Sequence, residues 1–134
     1  MLDCGGQDAP ISDNTLKHLS YISPNETELL RLDPTIEIGE HFSLEVAAEE
    51  IRKKLISKHP NLKVLLKLGS KGSAIITPEL AVQGDVVTSL NPDVLKDFKI
   101  VDTVGAGDCF TGAFSVRHSE LDWSDKKKWS ENYR

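Results

Sequence analysis

The sequence predicts an α/β domain with a mainly parallel sheet and a small antiparallel hairpin. Three observations predict it. Strand-like and helix-like segments alternate along the chain. Leu62 to Leu68 is a nearly continuous apolar run, broken by Lys63 and Lys67, as in a strand buried on both faces. A glycine turn, Gly105-Ala106-Gly107, opens a helix directly after a strand-like stretch, Phe98 to Val101.

The elements follow in order. Met1-Leu2-Asp3 is a short strand end, and Cys4-Gly5-Gly6 its turn. Asp8 to Pro10 reads as a turn, and Ser12 or Asp13 caps a short helix through Leu19. Ser20 to Ser23 is a short strand. Pro24 suits the first turn of a helix through Leu32, which Asp33-Pro34 breaks. Ser43 caps a helix through Lys58, with Leu44, Ala47, Ala48, Ile51, Leu55 and Ile56 on one stripe. After the strand over 62–68, Gly69-Ser70-Lys71-Gly72 turns the chain into a second strand, Ser73 to Thr77. Residues 79–99 form edge strands or loops.

Composition narrows the function classes. The 134 residues carry 16 basic and 21 acidic side chains, a net charge of −5, which with no basic patch argues against nucleic acid as a partner. No apolar stretch approaches the about 20 residues of a membrane span. Met1 to Gly6 has neither a basic nor an apolar leader region, so no secretory signal is expected there. Cys4 and Cys109 fit no metal spacing and read as reduced thiols.

The chemistry concentrates at the Gly105-Ala106-Gly107 turn. Backbone N–H groups of such a turn, together with a helix N-terminus, attract anions. Asp108 stands in the first helical turn beside whatever anion binds. Phosphoryl transfer needs that combination, a cradle for phosphate and a base for the attacking hydroxyl. Two other segments carry possible chemistry. Asn25 and Glu28 lie one helical turn apart after a strand, where an amide and a carboxylate can hold hydrated Mg²⁺ near phosphate, although Pro-Asn-Glu is also an ordinary capping pattern. In Lys67-Leu68-Gly69-Ser70-Lys71-Gly72 the glycines admit close approach of a ligand, although a plain hairpin turn fits as well. A dinucleotide fingerprint is disfavoured because Gly112 falls out of step, and no Gly-Lys-Ser/Thr follows a glycine pair.

These segments resemble one family in its own order. Asp102-Thr103-x-Gly105-Ala106-Gly107-Asp108-x-Phe110-x-Gly112-Ala113-Phe114 resembles the C-terminal signature of the ribokinase and phosphofructokinase-B sugar kinases. Pro24-Asn25-x-x-Glu28 is similar to their Asn-x-x-Glu motif, and Leu66 to Gly72 to their nucleotide loop. The wording of Gly5 to Pro10 and Lys67 to Ser73 is similar to plant-type members. The resemblance covers roughly residues 1–117.

The resemblance implies a three-layer α/β/α sandwich and ATP-dependent phosphorylation of a sugar's primary hydroxyl, with D-ribose giving ribose 5-phosphate as the expected reaction. Fructokinase or nucleoside kinase activity, or a non-catalytic product, are the alternatives. Asp108 matches the catalytic base. The N–H groups of Gly105, Ala106 and Gly107 match the anion hole. Asn25, Lys67, Gly69, Ser70 and Gly72 match nucleotide-binding positions, although many members have Thr in place of Lys67. Glu28 matches a residue holding Mg²⁺ through water. Asp102 and the Val104 carbonyl match a monovalent-cation site for K⁺. Cys109 is expected as a small packed side chain behind the base. The implied ligands are ATP, Mg²⁺, K⁺ and a small sugar, in a cytoplasmic protein, or an organellar one if a transit peptide precedes these residues; a homodimer is the implied assembly of the full-length protein.

The departures are of length. Family members are longer, and their sugar-gripping N-terminal half, their lid and their closing C-terminal helices have no counterpart in these residues. Residues 1–118 therefore read as a partial kinase core, inactive by itself, and 119–134 as a polar tail in which Trp123 and Trp129 share no helix face. Apolar faces such as those of Val64, Leu65, Leu66, Ile75 and Ile76 are expected to lose cover, giving an aggregating or dimerising chain.

Overall fold

A computed structural model describes residues 1–6, 9–38, 42–84 and 102–120. The strand expected over Phe98 to Val101, and the tail with its two tryptophans, lie outside the described residues.

Five strands form one sheet in the order β1 (Leu2–Asp3), β2 (Tyr21–Ser23), β3 (Lys63–Lys67), β4 (Ser73–Ile76), β5 (Ala81–Gln83). The first three run parallel, with Leu2 opposite Ile22 and Ile22 opposite Val64. β4 and β5 are antiparallel additions, with Leu65 opposite Ile75 and Ile75 opposite Val82. The mainly parallel sheet with a hairpin is as the sequence predicts.

The crossovers begin with side-chain caps. Ser12 accepts from Thr15 N at 3.2 Å and starts α1 (Asp13–Leu16). Helix α2 (Glu26–Leu32) begins two residues after Pro24, where the sequence placed its start. Asn25, not Pro24, flanks its first turn, because the Asn25 side chain takes the Glu28 N–H and the Glu28 carboxylate takes the Asn25 N–H. Pro24 stays extended ahead of the cap, and its carbonyl accepts from Lys67 N at 2.8 Å. Ser43 caps α3 (Leu44–Ile51), which widens into a π-helical turn over Arg52–Ile56. The wider turn lets both Leu55 and Ile56 bury against the sheet. The last helix, α4, runs Ala106–Glu120.

Strand periodicity divides the core into two layers. Ile22, Val64, Leu66, Ala74 and Ile76 share one cluster with Leu16, Leu29, Ile51 and Leu55 of the first three helices. Leu65, Ile75, Val82 and Tyr21 cluster with Phe114 of α4 on the other side, and Phe110 packs against them. This is the α/β/α layering that the resemblance implies. It also corrects one expectation. Val64, Leu65, Leu66, Ile75 and Ile76 are all fully buried, because helices cover both faces of the sheet at their positions.

Helix α4 is fastened at both ends of its buried stripe. Tyr21 and Phe114 meet edge to face at 5.8 Å between centroids, and Tyr21 Oη lies 2.7 Å from His118 Nε2. Burial pushes the Tyr21 hydroxyl up to about 12, so it is a neutral hydrogen-bonding group there. Cys109 is exposed, against expectation. It lies two residues from Thr111, the wrong side of a helix whose buried residues are Thr111 and Phe114.

Candidate functional site

The carboxyl ends of β1, β2 and β3 lie side by side, so the residues that follow them gather at one edge of the sheet. Open α/β sheets bind ligands there. The point where a Cβ on Gly5 would stand is 3.3 Å from Asp3 Oδ1, 3.8 Å from Glu28 Oε1 and 3.9 Å from Asp108 Oδ1. Three carboxylates from β1, α2 and α4 thus surround a residue with no side chain. A cavity of about 210 Å³ opens beside Asp3, Gly5, Glu28 and Arg31.

Each carboxylate is placed by local structure. Glu28 is buried and held by the capping box, its Oε2 accepting from Asn25 N at 2.7 Å. Asp108 is exposed in the first turn of α4. Asp3 ends β1 and accepts from Gly5 N at 3.0 Å. Burial pushes the Asp3 carboxyl up, but hydrogen bonds from Thr111, Lys67 and Gly5, with the Lys67 charge, outweigh it and hold the group below its ordinary range. The neighbouring Cys4 thiol is driven the other way, up to about 12, by burial and then by the Glu28 and Asp3 charges. It is an inert packed thiol.

One ammonium enters this cluster. Lys67 Nζ lies 2.9 and 3.0 Å from the two Asp3 oxygens and 3.7 Å from Glu28 Oε2. Gly107 rests above it, since a Cβ there would be 3.2 Å from Nζ.

The glycine turn takes the shape that its sequence demands. Gly105 has φ +81°, which favours glycine, and the helix starts at the next residue. Asp102 Oδ1 accepts from Val104 N at 3.0 Å, and Ala106 N donates to Thr103 O at 3.1 Å. Val104 itself is exposed. Gly107 lies in the first turn, where helical N–H groups lack intrahelical partners.

The structure therefore brings Asn25, Glu28, Lys67, Gly107 and Asp108 together. It keeps Gly69, Ser70 and Gly72 in a separate turn just past β3, where Gly69 (φ +56°) and Gly72 (φ +86°) close on each other through Gly72 N to Gly69 O at 3.1 Å. Asp102 and Val104 lie on the outer arm of the glycine turn. Among the described residues no three His, Cys, Asp or Glu side chains form a closed metal-ligand group. The carboxylate donors around Gly5 suit Mg²⁺ held through water and phosphate oxygens, and not a dedicated protein cage.

Sequence reasoning missed Asp3, Thr111 and Ser23. Thr111 Oγ1 donates to Asp3 Oδ2 at 2.5 Å, and Ser23 Oγ lies 3.0 Å from the same hydroxyl. Thr111 stands three residues after Asp108, so a shared helix face was the available signal. For Asp3 the signal was weaker, an acid closing a strand before two glycines.

An α/β sandwich with a glycine turn and an acid at its parallel strand ends defines the class, an α/β protein with a candidate anion site at that edge of the sheet. Comparison with known proteins makes this specific. The pfkB family carbohydrate kinase profile matches residues 1–128. Ribokinase of Arabidopsis thaliana is 43% identical over 118 residues, which is 87% of this chain and 27% of that protein. Ribokinase of Bacillus subtilis (strain 168) is 31% identical over 111 residues, 83% of this chain and 30% of that protein. The solved structure of Arabidopsis thaliana ribokinase complexed with ribose and ATP superposes with a TM-score of 0.67 at 36% identity, over 88% of this chain and 34% of that one. The chain belongs to the pfkB family of carbohydrate kinases. It spans about a quarter to a third of the length of these relatives. Among the described residues no helix is long and apolar enough to cross a membrane.

Proposed function

We propose that these residues form the phosphoryl-transfer part of a ribokinase-type site, which moves the γ-phosphoryl group of ATP to the primary hydroxyl of D-ribose. The observation that carries this reading is Asp108, in the first helical turn behind the Gly105 turn and facing Glu28 and Asp3 across Gly5. The kinship with two ribokinases favours ribose over other sugars.

In this mechanism the Asp108 carboxylate accepts the proton of the sugar hydroxyl. The sugar oxygen bonds to the γ-phosphorus as the bond from that phosphorus to the β-phosphate oxygen breaks, and ADP leaves. The N–H groups of Gly105, Ala106 and Gly107 stabilise charge on the transferring group. For Ala106 this requires its N–H to turn from Thr103 O toward the ligand. Mg²⁺, when bound, neutralises phosphate charge, and Glu28 holds its waters. Asn25, Lys67, Gly69, Ser70 and Gly72 face the nucleotide. Asp102 and the Val104 carbonyl serve a monovalent cation, K⁺.

The test is in two parts. Calorimetric titration of the chain with MgATP should show saturable binding, and a chain that takes up no nucleotide would support the non-catalytic alternative. In a polypeptide that phosphorylates ribose with these residues, Asp108→Asn should cut kcat by about 10²–10⁴-fold while leaving MgATP affinity nearly unchanged. Intact turnover would show that Asp108 is not the base. Ribose, fructose and adenosine, assayed side by side, distinguish the acceptor.

A further inference from the structure

Asp3 joins three elements through one carboxylate. It takes Lys67 Nζ from the end of β3 on both oxygens, at 2.9 and 3.0 Å, and Thr111 Oγ1 from α4 at 2.5 Å. The single Thr111 proton goes to Asp3, so Ser23 Oγ must donate to Thr111 Oγ1 across their 3.0 Å contact. The chain of bonds runs from β2 through α4 to β1 and β3, and it is largely sheltered. Ser23 is fully buried, Thr111 is 8% exposed and the Lys67 side chain 13%.

An ammonium so confined needs a partner to remain charged. Asp3 is that partner, and it also fixes where the charge sits. Two N–H bonds of Lys67 reach Asp3. Among the described residues the third has Glu28 Oε2 at 3.7 Å, too long for a hydrogen bond, and so is open to a ligand oxygen. Nζ lies directly beneath Gly107, 3.2 Å from where a Cβ would stand. Strand parity puts Lys67 on the same side of the sheet as Leu65, the side that α4 covers.

We propose that Asp3 is a positioning residue: it holds the Lys67 ammonium beneath the glycine turn as a fixed cation for a polyphosphate chain, and through Thr111 it sets the first turns of α4 over the strand ends. The proposal rests on reading the glycine turn as a phosphate site.

Electrostatics gives a test with opposite signs. If Asp3 acted only through its charge, removing that charge would favour an anion. If it positions Lys67, removal weakens the anion. The 134-residue chain is titrated calorimetrically with magnesium tripolyphosphate, for wild type, Asp3→Asn, Lys67→Met and the double variant. Each single variant should bind about tenfold more weakly, the worth of one charge-assisted hydrogen bond. The double variant should bind no more weakly than the weaker single, because both break one device. Thermal midpoints accompany each titration, and an affinity loss that only tracks lost stability overturns the proposal. So does Asp3→Asn binding as tightly as wild type or more tightly, or a fully additive double variant. If Asp3→Asn does not fold, Thr111→Val replaces it. That variant keeps the ion pair, frees α4, and should still bind at least about threefold more weakly; unchanged affinity overturns the proposal. A wild-type chain that takes up no tripolyphosphate overturns the phosphate-site reading and this proposal with it. Binding that is indifferent to Asp3 overturns this proposal alone.

Discussion

Replacing Gly112 or Gly107 with alanine makes the same chemical change twice on α4, with opposite consequences expected. Neither glycine has the positive φ seen at Gly6, Gly69, Gly72 and Gly105, so alanine fits either backbone. Gly112 is in the middle of the helix, and among the described residues an added Cβ meets nothing within 4 Å. Helix propensity alone then decides, and Gly112→Ala should gain roughly 0.5–1 kcal/mol. For a chain of this size that raises Tm by roughly 2–6 °C. At Gly107 the new methyl would stand 3.2 Å from Lys67 Nζ and 3.4 Å from its Cδ. A lysine tip usually moves aside cheaply. This one is bonded to Asp3 at 2.9 and 3.0 Å and has little slack. The propensity gain should be cancelled, leaving Gly107→Ala within about 0.5 kcal/mol of wild type or below it. Urea unfolding followed by far-UV circular dichroism, at two protein concentrations, measures both. A destabilised Gly112→Ala would mean that position 112 is covered. Equal gains at the two positions would mean that Lys67 does not sit beneath the turn.

Two further outcomes follow from the geometry. Asn25→Ala deletes the acceptor of the Glu28 N–H, at 2.8 Å, and should cost about 1 kcal/mol in urea unfolding, with no loss counting against the capping box. Burial, then the Lys63 charge, depresses the His118 pKa below its ordinary 6.5. A depressed base binds fewer protons folded than unfolded, so its contribution to stability is present above about pH 6.5 and is lost as pH falls through the folded value. Tm should therefore drop between pH 7.5 and 5.5, and His118→Gln should flatten that drop; an unchanged slope would remove His118 from the account.

Local chemistry was legible in the sequence, and distant chemistry was not. Asn25 and Glu28 form a capping box three residues apart, and Gly105 takes a conformation that few other residues would accept, so both were readable. The contact of Tyr21 with His118 joins residues 97 apart, and Thr111 reaches Asp3 across 108. Such pairs exist only once the crossovers place β1 and β2 beneath α4, and no local pattern announces them. The misplacement of Cys109 was avoidable. The signature residues Phe110 and Phe114 already mark the inner face of the helix, and Cys109 falls outside it. The expected exposure of Ile75 and Leu65 failed for a different reason. It assumed that missing length strips the sheet, whereas α1–α3 and α4 cover these central positions from within the chain.

The strand-end cluster also shows why a lysine belongs at position 67. Three carboxylates around Gly5 and one ammonium leave two net negative charges when all are ionised. Left alone, such a cluster repels phosphate. The glycine turn offsets part of this with the partial positive charge of a helix N-terminus, about half an elementary charge. The Lys67 ammonium adds a whole charge, and being mostly buried it is less screened than a surface lysine would be. Asp3 spends its four acceptor sites on Lys67, Thr111 and Gly5, which leaves Glu28 as the carboxylate beside Lys67 that a hydrated cation arriving with the nucleotide would meet. In the proposed reaction Glu28 would thus face two cations, one built into the chain and one brought by the substrate, while Asp3 serves Lys67 alone. In that reading Lys67 and the helix N-terminus would lessen the repulsion between phosphate and the Asp108 carboxylate that serves as the base.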